Sequence, residues 1–158
     1  MEKMKLYPIG TVHCDEDGFH IALDKRYIPA LTGLDGFSHL QILWWFGGCD
    51  NDRARSLLVE EKPYAKGPER MGVFATRSPN RPNPIAVSCC GVTYIDAEQG
   101  IIGLTYIDAN DGTPVLDVKP YTPSLDRVAQ PETPAWCAHW PKDCESSGDF
   151  DWDGEFNF

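Results

Sequence analysis

Short hydrophobic runs, separated by polar turns that often contain glycine, dominate the pattern of the chain. Residues 37–46 form an almost continuous, aromatic-rich apolar run between glycines, which is typical of a strand buried on both faces. Two runs rich in β-branched residues, 85–95 and 101–107, are joined by a polar segment that ends in Gly100. Because glycine readily supplies the positive φ of a tight turn, these two runs predict a β-hairpin.

The other regular segments are short, and few of them favour helix. Four more strands are predicted, at residues 6–12, 18–23, 72–75 and 114–118. The best helix candidate is 52–60, and 29–33 fits a single helical turn with proline early and glycine at its end. Many short strands with regular turns predict an all-β or mainly β fold, a small closed or nearly closed β-barrel with one or two short helices.

Length and aromatic content indicate the domain organisation. The 158 residues suit one domain that buries a substantial core. Regular patterning is lost after Pro131, yet this last segment is rich in aromatic residues: Trp136, Trp140, Phe150, Trp152, Phe156 and Phe158. So many aromatic side chains are untypical of a disordered tail. We therefore expect a barrel domain at residues 1–130 and an irregular tail at 131–158 that packs on the barrel or on a partner subunit.

Composition indicates an ordinary globular protein, with 42% hydrophobic and 24% charged residues. No apolar run approaches the roughly 18 residues of a membrane-spanning helix, and the N-terminal residues show no hydrophobic segment of a signal peptide. We expect a cytoplasmic protein with no membrane partner. The six cysteines lack Cys-x-x-Cys spacing and a matching histidine pattern. They are interpreted as free thiols, and no metal site is predicted.

The net charge of −10 argues against a general nucleic-acid-binding protein. The charge is unevenly distributed, however, because residues 53–81 form a locally basic centre and residues 131–158 an acidic tail. The basic groups of this centre are Arg53, Arg55, Lys62, Lys66, Arg70, Arg77 and Arg81. Two interpretations are open: an RNA-binding surface, and a solvated surface on which charge is merely uneven.

Residues 72–85, with the sequence GVFATRSPNRPNPI, are the most informative stretch of the chain. Prolines at 79, 82 and 84 fix φ and remove backbone donors, so the segment becomes a stiff, extended loop between two strands. Such a loop presents polar side chains with little ordering cost, as an anion or cofactor site requires. The alternative is a rigid crossover whose arginines only satisfy carbonyl groups or carboxylates of the tail.

The string GVFATRSPNRPNPIAVS resembles the signature of the TrmO-like family, also called YaeB- or TsaA-like. Two further segments resemble the family in the same order: residues 37–46, with Phe-Ser-His-Leu and Trp-Trp-Phe, and residues 108–121, DANDGTPVLDVKPY. The resemblance implies a small, dimeric β-barrel that binds S-adenosylmethionine (SAM). It also implies a methyltransferase that acts on N6 of threonylcarbamoyladenosine beside the tRNA anticodon.

The resemblance implies roles for individual residues. Arg77, followed by Ser78, is the leading candidate to pair with the methionine carboxylate of SAM. Other positions that match cofactor contacts of the family are Gly47, Gly48, Val87, Ser88, Cys89, Tyr106, Ile107, Asp108 and Ala109. Candidate substrate or RNA contacts are Arg53, Arg55, Arg81, Asn83, Lys119 and Tyr121. For Lys119, a salt bridge within the fold is an equal alternative.

The chemistry of methyl transfer narrows the search for catalytic groups. Transfer from a sulfonium needs alignment of the nucleophile, exclusion of water and removal of one proton. Asp108 and Asp111 are the candidate bases; alternatively, Asp111 only begins a turn and Asp108 accepts backbone hydrogen bonds. Trp44 and Trp45 lie on alternate faces of their run, so either one stacks on adenine or both belong to the core.

The chain departs from the longer members of the family in three respects. Their Pro-Arg-Gln motif near the N-terminus is missing, which leaves open whether Arg26 takes its place. Their C-terminal extension is replaced by the short acidic tail, and Ala86 stands where the signature usually has Gly. These departures leave two other functions open: a non-catalytic SAM-binding or regulatory module, and a methyltransferase for another RNA or a small molecule.

Overall fold

The computed structural model describes residues 4–157 and consists mainly of short strands joined by turns. The strands are β1 (Gly10–Asp15), β2 (Gly18–Leu23), β3 (His39–Trp45), β4 (Val59–Glu61), β5 (Arg70–Gly72), β6 (Ile85–Asp96), β7 (Ile101–Leu104) and β8 (Pro114–Pro120). The helices are α1 (Asp52–Ser56), α2 (Pro123–Asp126) and α3 (Cys144–Ser147), with 3₁₀ turns at Lys25–Leu31, Gly47–Cys49, Val73–Ala75 and Ala135–Cys137. The predicted mainly β fold is confirmed.

The chain divides into two compact units. The first contains the residues up to Gly48 together with Pro84–Arg127, and the second contains Cys49–Asn83 together with the chain from Val128 onward. The predicted division between residues 1–130 and 131–158 stays a prediction. Within residues 4–157, no helix is long and apolar enough to cross a membrane.

Six strands of the first unit close into a barrel in the order β1-β2-β7-β6-β3-β8. Every neighbouring pair is antiparallel, and β8 pairs with β1 to complete the ring. The interior holds fully buried apolar side chains, among them Val12, Ile21, Leu40, Ile42, Ile102 and Val115. Burial of one such side chain contributes about 1.5–3 kcal/mol, and closure leaves no exposed strand edge. The prediction of a closed barrel is confirmed.

The apolar run at 37–46 forms β3, but the prediction that both of its faces are buried is wrong. Leu40, Ile42 and Trp44 are at most 5% exposed, whereas the side chains between them are only half-buried. The reason is the barrel itself, because alternate side chains of a barrel strand point to the interior and to the outside. Trp44 belongs to the core, whereas Trp45 is half-buried on the other face, so the interpretation that both are core residues holds for Trp44 only.

The first hairpin is tighter than the sequence indicates. The predicted strand at 6–12 is wrong in its position, because β1 continues through Asp15, which pairs with Gly18. Gly18 has a φ of 105°, and the Asp15 carboxylate accepts a hydrogen bond from the backbone N–H of Asp17 at 3.0 Å. The chain therefore reverses over two residues, as glycine and aspartate allow.

The second predicted hairpin is confirmed. β6 and β7 form an antiparallel pair, and Gly100 lies in the turn between them with a φ of 74°. β8 follows a second turn, in which Gly112 has a φ of 81°. Both turns use glycine where other residues would be strained, which is why the sequence marks them clearly.

The second unit contains a short antiparallel pair, β4 with β5. The predicted helix at 52–60 starts correctly, since the Asn51 side chain caps it by accepting a hydrogen bond from Ala54 N at 3.0 Å. Beyond α1 the helix prediction is wrong, because Leu57 is extended and the β-branched Val59 enters β4. Pairing with a partner strand overrides the local preference here.

The predicted strand at 72–75 is also wrong. Gly72 ends β5, and the next three residues form a 3₁₀ turn. The backbone N–H and the hydroxyl of Thr76 both donate to the Val73 carbonyl, at 3.2 and 3.0 Å. Because Val73 is buried within this turn, an apolar run of strand-like composition adopts a turn instead.

Gly10 is the position where β1 approaches its neighbours most closely. It pairs with Leu23 of β2 and with Val115 of β8. A Cβ atom built there would lie 2.4 Å from the Ala22 carbonyl oxygen. The obstructing atom belongs to the backbone of a paired strand and cannot rotate away, so closure of the barrel requires glycine here.

We predict that Gly10→Ala lowers the free energy of unfolding by about 1–3 kcal/mol, the usual cost of overpacking. Gly47→Ala is the matched control, because a Cβ at that position would meet no described atom within 4 Å. Urea denaturation of both variants and of the wild-type protein measures the difference. Wild-type stability of Gly10→Ala would contradict the close approach of the strands.

Candidate functional site

The loop of residues 72–83 in the second unit is ordered by its own polar side chains. Thr76 Oγ1 accepts a hydrogen bond from Ser78 N at 3.2 Å, and Ser78 Oγ accepts one from Asn80 N at 3.3 Å. Such local bonds from hydroxyl side chains satisfy backbone groups that a strand or helix would otherwise pair. They add to the stiffness that the prolines give the same segment.

Arg81 is engaged within this loop. Its guanidinium donates to the carbonyl oxygens of Val73, Thr76 and Ser78, each at 3.3 Å. Arg81 therefore satisfies carbonyl groups, the second of the two roles considered for the loop arginines. Its predicted contact with RNA stays a prediction, because Nη1 and Nη2 already donate within the loop and fewer N–H groups remain for a phosphate.

Ser78 is held from a distant part of the same unit. Its hydroxyl donates to Glu60 Oε1 at 2.6 Å, a short bond to a charged acceptor. Ser78 itself is only 6% exposed. The other oxygen of the carboxylate, Glu60 Oε2, is buried and has no hydrogen-bond partner among residues 4–157. Ser78 thus fixes the loop, which limits what its side chain can offer to a cofactor.

Arg77 is exposed, whereas its neighbours Thr76 and Ser78 are buried. Its backbone is nevertheless held in place. The phenol oxygen of Tyr64 makes a hydrogen bond with the Arg77 backbone, and the Arg77 guanidinium lies close enough to act on the phenol electrostatically. Burial raises the pKa of the Tyr64 phenol, against the smaller opposing effect of that hydrogen bond. The phenol is therefore protonated at neutral pH. A fixed backbone with an exposed guanidinium suits the recognition of an anion.

Strand β6 sends the predicted contacts Val87, Ser88 and Cys89 to two different faces. The Ser88 hydroxyl accepts a hydrogen bond from the indole N–H of Trp44 at 3.0 Å, so it faces the core side with Cys90, which is 2% exposed. Val87 is 44% exposed and points outward. Since successive side chains alternate, Val87 and Ser88 cannot both reach one ligand through their side chains.

The segment at 106–109 is anchored by one residue and exposed on either side of it. Ile107 is 2% exposed and belongs to the barrel core, whereas Tyr106 is 58% exposed and Asp108 is exposed. The Ala109 carbonyl accepts a hydrogen bond from the Cys14 thiol at 3.2 Å. Only Tyr106 and Asp108 of this segment therefore present side chains to solvent, and Ile107 is a structural residue.

The two candidate bases occupy different environments. Asp111 Oδ1 accepts a hydrogen bond from Cys14 N at 3.1 Å and lies 3.4 Å from His13 Nδ1. Its turn, with Gly112 at positive φ, matches the structural alternative for Asp111. No hydrogen bond to the Asp108 carboxylate is found within residues 4–157, so the structural alternative is not supported for Asp108. A catalytic role of either residue stays a prediction.

Gly47, Gly48 and Arg26 lie in open surroundings. Both glycines are exposed in a 3₁₀ turn, and a Cβ built at either would meet no described atom within 4 Å. The Arg26 guanidinium lies 4.5 Å from the ring centroid of Tyr27, a cation–π contact within its own turn. Their roles toward a cofactor stay predictions.

Most of the predicted RNA-binding cations already have acidic or carbonyl partners. Arg55 donates to Asp50 Oδ1 at 2.6 Å and to the Pro82 carbonyl at 3.1 Å. Further ion pairs are Lys62–Glu69, Lys66–Glu155, Arg70–Glu61 and Lys119–Asp117. The Asp117 hydrogen bond raises the pKa of Lys119, so the salt-bridge alternative for Lys119 is realised. Arg53 is exposed, and its guanidinium makes no hydrogen bond or ion pair with the described residues, although its carbonyl accepts a hydrogen bond from Ser56 Oγ at 2.9 Å.

The remaining substrate candidates are Asn83 and Tyr121. Asn83 is exposed at the end of the loop. Tyr121 is half-buried, and its ring centroid lies 6.4 Å from that of His39 in an edge-on arrangement. Neither placement excludes contact with a substrate, and neither requires it, so both assignments stay predictions.

Sequence reasoning missed Glu60 and Tyr64, the two residues that hold Ser78 and Arg77 in place. Glu60 lies 18 positions before Ser78 and Tyr64 lies 13 before Arg77, and neither belongs to the signature string. One signal was available for Glu60, because an acidic residue within a basic segment often pairs within the fold. Tyr64, flanked by Pro63 and Ala65, gives no such signal.

The closed antiparallel barrel with a proline-stiffened arginine loop defines a class of small β-barrel proteins distinct from the Rossmann fold. Residues 2–127 match the family described as the tRNA-methyltransferase O N-terminal domain. The chain belongs to this family.

Two relatives and one solved structure show how far the similarity extends. The chain is 37% identical over 112 residues to an S-adenosyl-L-methionine-binding protein of Archaeoglobus fulgidus, covering 71% of this chain and 75% of that protein. It is 38% identical over 121 residues to a tRNA (adenine(37)-N6)-methyltransferase of Escherichia coli, covering 75% and 51%. A crystal structure of TrmO from Pseudomonas aeruginosa aligns with a TM-score of 0.63 at 28% identity, covering 83% and 62%. The chain thus spans about half the length of the Escherichia coli enzyme.

We predict that the Cys14 thiol reacts with iodoacetamide several-fold more slowly than the exposed Cys144. Burial, together with the nearby carboxylate of Asp111, raises the pKa of Cys14, and a raised pKa leaves less of the reactive thiolate. Peptide mapping by mass spectrometry of the native protein at pH 8 measures both rates. Asp111→Asn removes the negative charge but keeps an acceptor, so it should speed the reaction of Cys14. Equal rates at both cysteines would contradict this geometry.

Proposed function

We propose that this protein is a SAM-dependent methyltransferase that modifies tRNA at N6 of threonylcarbamoyladenosine next to the anticodon. The observation that carries the proposal is the loop of residues 72–83, in which Arg77 is exposed on a backbone that hydrogen bonds hold in place. The family match and the names of the relatives from Archaeoglobus fulgidus and Escherichia coli support the cofactor and the reaction.

The donor set of the chain fits SAM. The methionine part of SAM carries a carboxylate, for which an exposed guanidinium is a suitable partner. We assign this role to Arg77. When bound, SAM supplies an electrophilic methyl group, and the protein contributes binding, alignment and exclusion of water.

The proton lost by the acceptor nitrogen needs a group that can receive it or pass it to water. We propose Asp108 rather than Asp111 for this role. The Asp111 carboxylate is already engaged by Cys14 N and lies beside His13, whereas the Asp108 carboxylate is exposed next to Tyr106. The Asp108 charge contributes to raising the pKa of Tyr106, after burial, which places the two side chains near each other.

A non-catalytic SAM-binding module is the second candidate function. It is favoured by the relative from Archaeoglobus fulgidus, which is named for SAM binding alone and of which the match covers 75%. By contrast, the match covers 51% of the Escherichia coli methyltransferase. A methyltransferase for another RNA or a small molecule would share the cofactor site and differ only in the acceptor. Incubation with methyl-labelled SAM and with tRNA that carries threonylcarbamoyladenosine without its N6-methyl group distinguishes these functions, because only the proposed enzyme labels that nucleoside.

We predict that Arg77→Ala weakens SAM binding by about 1.5–3 kcal/mol, as expected for a hydrogen-bonded charged pair. Arg77→Lys should restore only part of the loss, because an ammonium group cannot form the two parallel bonds of a guanidinium. Isothermal titration calorimetry measures the affinities, and the exposed Arg127→Ala serves as the control. Wild-type affinity in both folded Arg77 variants would show that Arg77 is structural. No binding to the wild-type protein at millimolar SAM would refute the cofactor itself.

We further propose a homodimer. Among residues 4–157 of one subunit, few basic side chains lack an acidic or carbonyl partner, and the chain carries a net charge of −10. Two subunits would bring two basic centres to one RNA. We predict that tRNA binding is weak and salt-sensitive, and that Arg53→Glu weakens it further. Each lost phosphate contact makes the negative slope of log affinity against log salt shallower by about 0.9. Arg55 is a poor choice for this test, since its reversal would break the bonds to Asp50 and Pro82.

Filter binding at several salt concentrations measures this effect, with Arg127→Glu as a control of identical charge change. Unchanged affinity in Arg53→Glu would exclude this surface. Sedimentation velocity of the wild-type protein tests the dimer separately, and a monomer at micromolar concentration would contradict it. The cytoplasmic location stays a prediction, in keeping with a tRNA substrate.

A further inference from the structure

Tyr64 lies at the meeting point of the loop segment and the C-terminal tail within the second unit. Its side chain is 6% exposed and is surrounded by rings of the tail. The ring of Trp136 stacks on it at 5.1 Å between centroids, and those of Trp140 and Phe156 lie at 5.2 and 5.8 Å. A phenol ring enclosed by three aromatic rings has little freedom to rotate.

The backbone around Tyr64 is bonded to the same tail. Ala65 N donates to the Glu155 carbonyl at 2.9 Å, and Asn157 N donates to the Pro63 carbonyl at 3.2 Å. The Asn157 side chain donates to the Lys62 carbonyl at 2.8 Å. Both the ring and the main chain of Tyr64 are thus fixed by residues that lie outside the family match, which ends at 127.

A buried carboxylate organises this part of the tail. Glu155 is 7% exposed, and its oxygens contact His139 Nε2 at 2.6 Å and accept the indole N–H of Trp140 at 3.0 Å. Lys66 Nζ lies 3.8 Å away. The hydrogen bond with His139, followed by that with Trp140, lowers the pKa of Glu155. The carboxylate therefore holds a ring that contacts Tyr64.

The hydroxyl end of Tyr64 reaches the predicted cofactor loop. It hydrogen-bonds with the backbone of Arg77, and the next residue, Ser78, is bonded to Glu60 at 2.6 Å. The Glu60 charge also acts on the Tyr64 phenol, which places the two groups near each other. Arg77 and Ser78 are thus each hydrogen-bonded by a side chain that lies outside the signature string.

We propose that Tyr64 is a positioning residue for Arg77 and that the C-terminal tail, by locking Tyr64, sets the affinity for SAM. This inference rests on the proposed cofactor role of Arg77. The tail fixes the ring, the ring fixes its hydroxyl, and the hydroxyl fixes the backbone from which the guanidinium extends. A guanidinium that extends from a fixed backbone loses less freedom on binding an anion than one on a mobile backbone, so the affinity is higher.

The decisive variant is Tyr64→Phe, which removes the hydroxyl and keeps the ring in its aromatic surroundings. Tyr94→Phe, an exposed tyrosine of β6, is the matched control. Loss of one hydrogen bond that orients Arg77 should weaken SAM binding by about three- to tenfold. It should also raise the amide hydrogen exchange rate of Arg77 by about fivefold or more, whether or not SAM is present.

The tail is tested with Trp136→Leu, which removes the ring stacked on Tyr64. Phe150→Leu is its control, because Phe150 lies in the same tail against His139 and Trp152, which are not among the three rings around Tyr64. Both substitutions should lower the melting temperature. Only Trp136→Leu should also speed Arg77 amide exchange and weaken SAM binding, beyond what the loss of stability alone produces.

The outcomes separate this inference from the proposed function. If the wild-type protein binds SAM but Tyr64→Phe binds it equally well with unchanged Arg77 exchange, the positioning role is overturned and the proposed function stands. If the wild-type protein binds no SAM, the proposed function fails, together with the affinity part of the inference. Faster Arg77 exchange in Tyr64→Phe and Trp136→Leu, with neither control affected, supports the mechanical link directly.

Discussion

The pairing of β3 with β6 is the constraint on which the rest of the structure depends. Trp45 pairs with Ile85, and Phe46 N donates to the Pro84 carbonyl at 2.8 Å, so two chain positions far apart in sequence become neighbours. The segment between them is closed into a loop by this one ladder. Closing a long loop costs conformational entropy that grows only slowly with its length, and the barrel core compensates for it. A loop whose ends are fixed in this way can be further ordered by a few local bonds.

The sequence predicted the barrel well because barrel strands carry a strong local signal. Alternating apolar positions in β3 and the glycines at the ends of the hairpins are dictated by the wall of the barrel and by turn geometry. The errors lie where a partner strand or the burial of a side chain decides. The helix predicted at 52–60 stops early because Val59 pairs with Gly72 of β5, which cannot be read from the local pattern. The strand predicted at 72–75 becomes a turn in which Val73 is buried and Thr76 bonds back to the Val73 carbonyl.

The sequence shows which polar groups the candidate site contains, but not which of them the fold engages. The sequence predicts a ligand contact for both Arg77 and Arg81, yet Arg81 donates to three carbonyls of its own loop while Arg77 is exposed. The difference arises from chain geometry: Arg81 follows the turn and can reach back to it. Lys119 shows the same limit, since its partner Asp117 lies two residues away on the same face of β8. Motifs specify which groups are present, and packing decides which of them are available.

The distribution of charge gives the second unit its particular character. Its cations are largely balanced by carboxylates from both of its segments, as with Lys62 by Glu69 and Lys66 by the buried Glu155. Exposed pairs such as Lys62–Glu69 contribute little to stability, about 0–1 kcal/mol each, but all of these pairs reduce the field available to attract RNA. The acidic tail therefore acts in two opposite ways: it orders the basic segment through the aromatic rings around Tyr64, and it weakens the long-range attraction of that segment for phosphate. Recognition of a polyanion by such a surface has to rely on short-range contacts made by a few exposed groups, and on a loop that is ordered before the partner arrives.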